Sequence, residues 1–205
     1  PVLFLDAIDT KESTYPNFQG LKALPLHNII LVVDDSHGIG VMGNHGSGAY
    51  KTILKMKPKE LIVCSSLGKA MGIQAGAVFG NSMRINKLIE TDFFGGASPA
   101  APTALASFVE GQGIYKKQRA ILKENLECFL EKVVALNQFQ FIKNHPVFTF
   151  TNPELATYLK KNKIITTNFK YPNKNGILMS RIVLTAAHSK KDIEQLAKKL
   201  NSYKK

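Results

Sequence analysis

A chain of 205 residues, 44% of them hydrophobic, is long enough to bury a substantial core and falls in the globular class. No apolar run approaches the roughly 20 residues of a membrane span, and the start carries no leader of a charged stretch followed by an apolar one. The net charge of +12 raises nucleic acid as a partner, but it rests on scattered lysines with only Arg84, Arg119 and Arg181 to read phosphates or bases, so a solvated lysine surface with neither a nucleic-acid nor a membrane partner is expected.

Pro1 leads directly into an apolar run with no initiator Met, as expected of a sequence that begins partway through a longer protein. Residues 2–8 read as a buried strand, 9–19 as a polar loop, and 20–27 as a short helix interrupted by Pro25. Residues 29–34 form the clearest strand. Ile29 to Val33 run without alternation, the pattern of a parallel sheet covered on both faces. A glycine-rich loop comes next, then strand 60–64 (ELIVC), the loop SSLGKAMG, and a short strand at 75–80. Strands separated by loops and helices in this way predict an α/β layer.

From about residue 99 the pattern changes. Residues 99–113 read as a small-residue helix with prolines near its start, and Gly111 and Gly113 mark a hinge. Residues 115–137 carry Leu122, Leu126, Phe129, Leu130 and Val133 at helical spacing. Strand 147–151, helix 153–162, strand 163–169, the turn YPNKNG, strand 177–185 and helix 190–203 complete the chain. Ser189 and Asp192 predict an N-terminal cap for the last helix. The expected organisation is the later part of an α/β domain over 1–112 and a small α+β domain over 113–205. Cys64 and Cys128 have no metal-type spacing and read as buried thiols in a reducing, cytoplasmic compartment.

The stretch IILVVDDSHGIGVMGNHGSG (29–48) holds a G-x-G-x-x-G at 38–43, the fingerprint of a dinucleotide loop. Its context argues against that use. Asp34 and Asp35 put negative charge where an anion should sit, VMGNHGSGAY makes a poor first helical turn, and residues 65–66 are Ser-Ser where a ribose-binding acid belongs. Asp34 and His37 end one parallel strand, and Ser66 and Lys69 come after the next, at the edge where open α/β sheets bind ligands. Taken singly, Asp34 could cap loop amides and Lys69 could be one more solvated amine. Together they supply an acid for a pyridine nitrogen and an amine for a Schiff base, the pair that pyridoxal phosphate requires. Arg181 stands in the mostly apolar stretch ILMSRIVLT, where an arginine facing water from an edge strand is the plain alternative to a binding role. His188 reads as structural, packing near the start of the last helix.

VVDDSHGIGVMGNHGSG, SSLGKAMG and RIVLTAAH (181–188) together closely resemble the α-oxoamine synthase family of fold-type-I pyridoxal-phosphate enzymes. The likeness covers nearly the whole chain but only the later half of a typical member. It implies an α/β fold, the later half of the large cofactor domain with a mostly parallel sheet, followed by the small domain. It also implies roles. Lys69 would bond the cofactor and later carry the α-proton, helped by partial burial; Asp34 would pair with the ring nitrogen; His37 would bond the ring's phenolic oxygen; Ser66 would serve the phosphate; Arg181 would grip a substrate carboxylate. The implied reaction joins a small amino acid to an acyl-CoA, with loss of CO₂ and CoA, in a homodimer with active sites at the subunit interface. Three features depart from the pattern: Ser47 stands where members often have arginine, GIQAGA replaces GGxxGG after the lysine, and Ser98 is the only hydroxyl in FFGGASPAAP. An aminotransferase or lyase on the same scaffold, and a non-catalytic basic fragment, remain alternatives.

Overall fold

The computed structural model describes residues 1–9, 18–171 and 173–203. Most of the loop expected over 9–19, Pro172 of the expected turn, and the Lys204–Lys205 pair lie outside the described residues. The chain divides into two compact units, Pro1–Lys116 and Lys117–Lys205.

In the first unit, β1 (Val2–Asp6) is followed by α1 (Gln19–Lys22) and a 3₁₀ turn at Leu26–Asn28. Next come β2 (Ile30–Asp34), a 3₁₀ turn at Asn44–Gly46, α2 (Tyr50–Leu54), β3 (Glu60–Ser66) and β4 (Gly76–Phe79). Three helices, α3 (Ser82–Ile89), α4 (Asp92–Gly95) and α5 (Pro102–Glu110), close the unit. The strands lie side by side in the order β1-β2-β3-β4, with the first three parallel and β4 antiparallel to β3. The mostly parallel α/β sheet is therefore present. Its carboxyl edge carries Asp6, Asp34 and Cys64 in register, with Ser66 two residues further along β3.

The two faces of this sheet differ, although its central strand shows no alternation of apolar and polar residues. Leu31 and Val33 are 0% exposed and pack on one face with Leu61 and Val63. On the other face Ile30, Val32 and Ile62 are half-buried, while Val2 and Phe4 remain 53% and 73% exposed. The expected cover on both faces is thus missing from one of them among the described residues. Cys64 lies on that open face and is half-buried, not buried, as is Cys128; both thiols are free.

Helix α5 ends at Gly111, where a Cβ would press on the Ser107 carbonyl, and α6 (Gln112–Lys132) comes directly after. From Lys117 onward α6 belongs to the second unit. That unit continues with β5 (Gln140–Phe141), β6 (Val147–Phe150), α7 (Pro153–Lys161), β7 (Thr167–Tyr171), β8 (Ile177–Val183) and α8 (Lys190–Ser202). Its sheet is antiparallel in the order β5-β6-β8-β7. Phe129, Phe148, Leu155, Leu159, Leu184, Ile193 and Leu200 form its core, with Phe129 and Phe148 rings 4.5 Å apart between centroids. The strand expected from 163 begins only at Thr167, because Lys163 takes a φ of 63°, the left-handed turn that ends α7. The expected cap of α8 is present as a reciprocal box between Ser189 and Asp192.

Candidate active site

The DDSH run at the end of β2 has exposed ends and a buried middle. Asp34 and His37 are exposed, while Asp35 and Ser36 are 1% and 6% exposed. Strand alternation turns Asp34 to the side of Ile30 and Val32, so its carboxylate lies at the open face of the sheet. The Ser36 amide donates to Asp34 Oδ1 at 2.8 Å. Burial acts to raise the Asp34 pKa. The bonds from the Ser36 hydroxyl and amide, and the neighbouring Lys69 and His37, outweigh burial and hold it below the ordinary value.

Asp35 points inward and organises the glycine run. Its backbone amide extends the β2–β3 pairing by donating to the Cys64 carbonyl at 2.8 Å. Its carbonyl accepts from Gly38 and Ile39, and its Oδ2 accepts from the Ala49 amide at 2.7 Å, closing the loop on itself. A Cβ at Gly38 or Gly48 would overlap this carboxyl, and Gly48 also needs a φ of 68°. These close approaches are why glycines are needed here. No helix opens at the third glycine of the fingerprint. A 3₁₀ turn stands there, then the five-residue α2, so the run offers no helix terminus to a pyrophosphate. Burial pushes the Asp35 carboxyl up to about 6; the Asp34 charge adds to this and the Ala49 bond opposes it. The Cys64 thiol across the strand is also pushed up, first by burial and then by Asp34.

Lys69 sits in the loop that joins β3 to β4. The loop is tied by Leu67 N–H to the Ala75 carbonyl at 2.9 Å and by Tyr115 Oη to the Met71 carbonyl at 3.0 Å. Lys69 Nζ lies 3.1 Å from His37 Nε2. The amine is exposed, against the expected partial burial, because it rises from the open edge of the sheet. Ser66 Oγ accepts from the Gly68 amide at 3.3 Å and keeps its own proton to donate. The first unit therefore gathers Asp34, His37, Ser66 and Lys69 at one edge.

Arg181 belongs to the second unit. It lies mid-way along β8, in register with Thr149 of β6 and Thr167 of β7, so its strand is interior and the edge-strand alternative is removed. His188 bonds its own loop, its Nδ1 accepting from the Thr185 amide at 3.0 Å, which agrees with the structural role expected for it. A cavity of about 370 Å³ in the second unit, lined by Ile164, Leu184, His188 and Leu196 among others, includes none of the clustered residues. Sequence reasoning used Asp35 only as a charge against an anion, and passed over Ser36. The one signal for them was their place between two residues already singled out.

This sheet, with its mostly parallel strands and the acid, histidine and lysine at their carboxyl edge, is that of the type I pyridoxal-phosphate transferases. The profile of the aminotransferase class I and II family matches residues 13–200, and the chain belongs to that family. Among curated proteins it is 33% identical over 181 residues to 8-amino-7-oxononanoate synthase of Buchnera aphidicola subsp. Baizongia pistaciae, covering 82% of this chain and 46% of that protein. It is 27% identical over 207 residues to the synthase of the same name from Saccharophagus degradans, covering 95% and 52%. The chain spans about half the length of the curated relatives it matches. The crystal structure of 8-amino-7-oxononanoate synthase from Francisella tularensis superposes with a TM-score of 0.72 at 24% identity, over 97% of this chain and 61% of that one. Sphingomonas wittichii serine palmitoyltransferase gives a TM-score of 0.72 at 18% identity, over 98% and 54%. These bear out the resemblance to the α-oxoamine synthases. Pyridoxal phosphate is the cofactor of the family, and the donor set fits it: an exposed amine, a carboxylate held ionised and a free hydroxyl proton meet at one edge.

Proposed function

We propose that the protein containing this chain is a C-acyltransferase that condenses a small amino acid with an acyl-CoA and releases CO₂ and CoA to give an aminoketone. The observation that carries this reading is the meeting of Lys69 and His37 at 3.1 Å beside the ionised Asp34, at the carboxyl edge of the parallel strands. Pyridoxal phosphate, when bound, supplies the electron sink that makes the α-proton of an amino acid removable. The chain's own groups do the rest. Lys69 Nζ, an exposed amine, would hold the cofactor and take the α-proton. His37 Nε2 is close enough to exchange a proton with it. Asp34, held below its ordinary value, stays a carboxylate across neutral pH and would pair with the ring nitrogen, and Ser66 would donate to the phosphate. Arg181 offers the planar fork suited to the amino acid's carboxylate.

In this reading residues 1–112 are part of the cofactor domain and 113–205 the small domain of a cytoplasmic homodimer, with active sites at the subunit interface. The chain alone would hold half the cradle and bind the cofactor weakly or not at all. Borohydride reduction with pyridoxal phosphate and peptide mapping tests this, on the chain and on its longer parent. The expected result is a pyridoxyl group on Lys69 in the parent, lost in Lys69→Ala, with CO₂ released when acyl-CoA and amino acid are supplied. No label on Lys69 in either chain overturns the enzymatic reading. Label with amino-group exchange and no CO₂ release favours an aminotransferase.

A further inference from the structure

We propose that Ser36 is the positioning residue that couples the acid to the lysine loop: its amide bonds the Asp34 carboxylate while its buried hydroxyl anchors Ser66, where β3 gives way to the loop that carries Lys69. The proposal rests on the reading that Asp34 and Lys69 act together. Ser36 is 6% exposed, so neither bond has water as a ready substitute. Its Oγ accepts from the Ser66 amide at 2.8 Å, thirty residues away in sequence. Its amide donates to Asp34 Oδ1 at 2.8 Å, and its hydroxyl helps to hold that carboxyl below its ordinary value. The Oγ that receives from Ser66 keeps its own proton, the one available to the acid. Ser66 then passes the constraint on through its own Oγ, which accepts from the Gly68 amide next to Lys69.

The charged and titratable groups around Asp34 are Lys69 and His37 from the two loops, Asp35 next in the chain, and Asp6 and Cys64 on the flanking strands. Burial opposes ionisation of Asp34, so the acid depends on donors and on Lys69 and His37 to stay charged. Ser36 is the donor nearest in the chain: its amide bonds the carboxylate, and its hydroxyl adds to holding it ionised.

The test is Ser36→Ala in the 205-residue chain without cofactor, read by ¹³C NMR titration of the Asp34 carboxyl and by amide exchange at Ser66. The Asp34 midpoint is expected to move up. Ser66 exchange is expected to quicken about tenfold, the loss of one net hydrogen bond. Ser36→Cys, which keeps a weak acceptor of similar size, should fall between, and it decides the matter on the same two readouts if the alanine variant does not fold. A folded variant in which Asp34 titrates as before and Ser66 stays protected overturns the proposal. Neither readout needs the cofactor, so they judge Ser36 whichever way labelling at Lys69 turns out. Labelling at Lys69 with an unmoved Asp34 would sink Ser36 alone; no labelling with a moved Asp34 would sink the enzymatic reading alone.

Discussion

Two adjacent carboxyls in the same turn have opposite tendencies, and the difference comes from where each points. Asp34 gains donors and positive neighbours and is held low; Asp35 loses water and is pushed up to about 6. Asp35 Oδ1 is buried without a hydrogen-bond partner, so ionisation places an uncompensated charge there that the neutral acid avoids. The folded pKa lies above the ordinary 3.8, so between those values the folded chain binds more protons than the unfolded one. Stability from this group is fully present below about pH 4, falls as pH rises through about 6, and is flat beyond. Asp34 contributes in the opposite sense and loses its share only as pH falls below its ordinary range. The expected outcome is that Asp35→Asn removes the downward slope between pH 4 and 6. It should also raise the urea stability at pH 7 by on the order of 2–3 kcal/mol. An unchanged slope in the variant would mean that Asp35 is already solvated in the folded chain. At this scale the sequence was half legible. Asp34, His37 and Lys69 stood out by chemical type and position at strand ends, whereas the burial of Asp35 and Ser36 is set by the return of Ala49 and the approach of Ser66, contacts fourteen and thirty residues away.

Elements were legible where a local signal marked their ends. The Ser189–Asp192 box fixed the start of α8, and the apolar run fixed β2. Helices α2, α3 and α4 went unread. The first and third have five and four residues, too short to show a period, and α3 and α4 bury none of their residues, so no packed stripe marks them. Their caps were available in the sequence: Asn81 accepts from the Arg84 amide at 2.8 Å and Thr91 from the Phe94 amide at 3.3 Å. Removing the hydroxyl of the α8 box by Ser189→Ala should cost about 1 kcal/mol in urea unfolding. The glycine loop is a harder constraint. Gly48→Ala would force a left-handed φ on a residue with a Cβ and drive that Cβ into the Asp35 carboxyl, for a loss of at least about 2 kcal/mol. If Gly48→Ala proves as mild as the cap variant, the Asp35 clasp gives way easily and the glycine is there for another reason.

At the scale of the whole molecule, the α/β layer followed by an α+β unit could be read from the change in periodicity near residue 99. The open face of the first sheet could not. An apolar strand such as Ile30–Val33 has the same composition whether its second face is covered by this chain or by something outside it. The chain spans about half of its curated relatives, and the face that holds Asp34 is the one left bare. No helix among the described residues is long and apolar enough to cross a membrane, so exposed Val2 and Phe4 are not part of such a span. Two substitutions on neighbouring strands separate the faces. Leu31→Ala empties a fully buried site and should cost about 3 kcal/mol, within the range for large-to-small changes in a core. Phe4→Ser changes a side chain 73% exposed and should shift stability by no more than about 0.5 kcal/mol. Urea melts at several protein concentrations measure both. If Phe4→Ser costs as much as Leu31→Ala and the wild-type midpoint rises with concentration, a second copy covers the face in solution. If the cost is small and the midpoint fixed, the sheet stands open in the isolated chain, and Asp34 is accessible from that side.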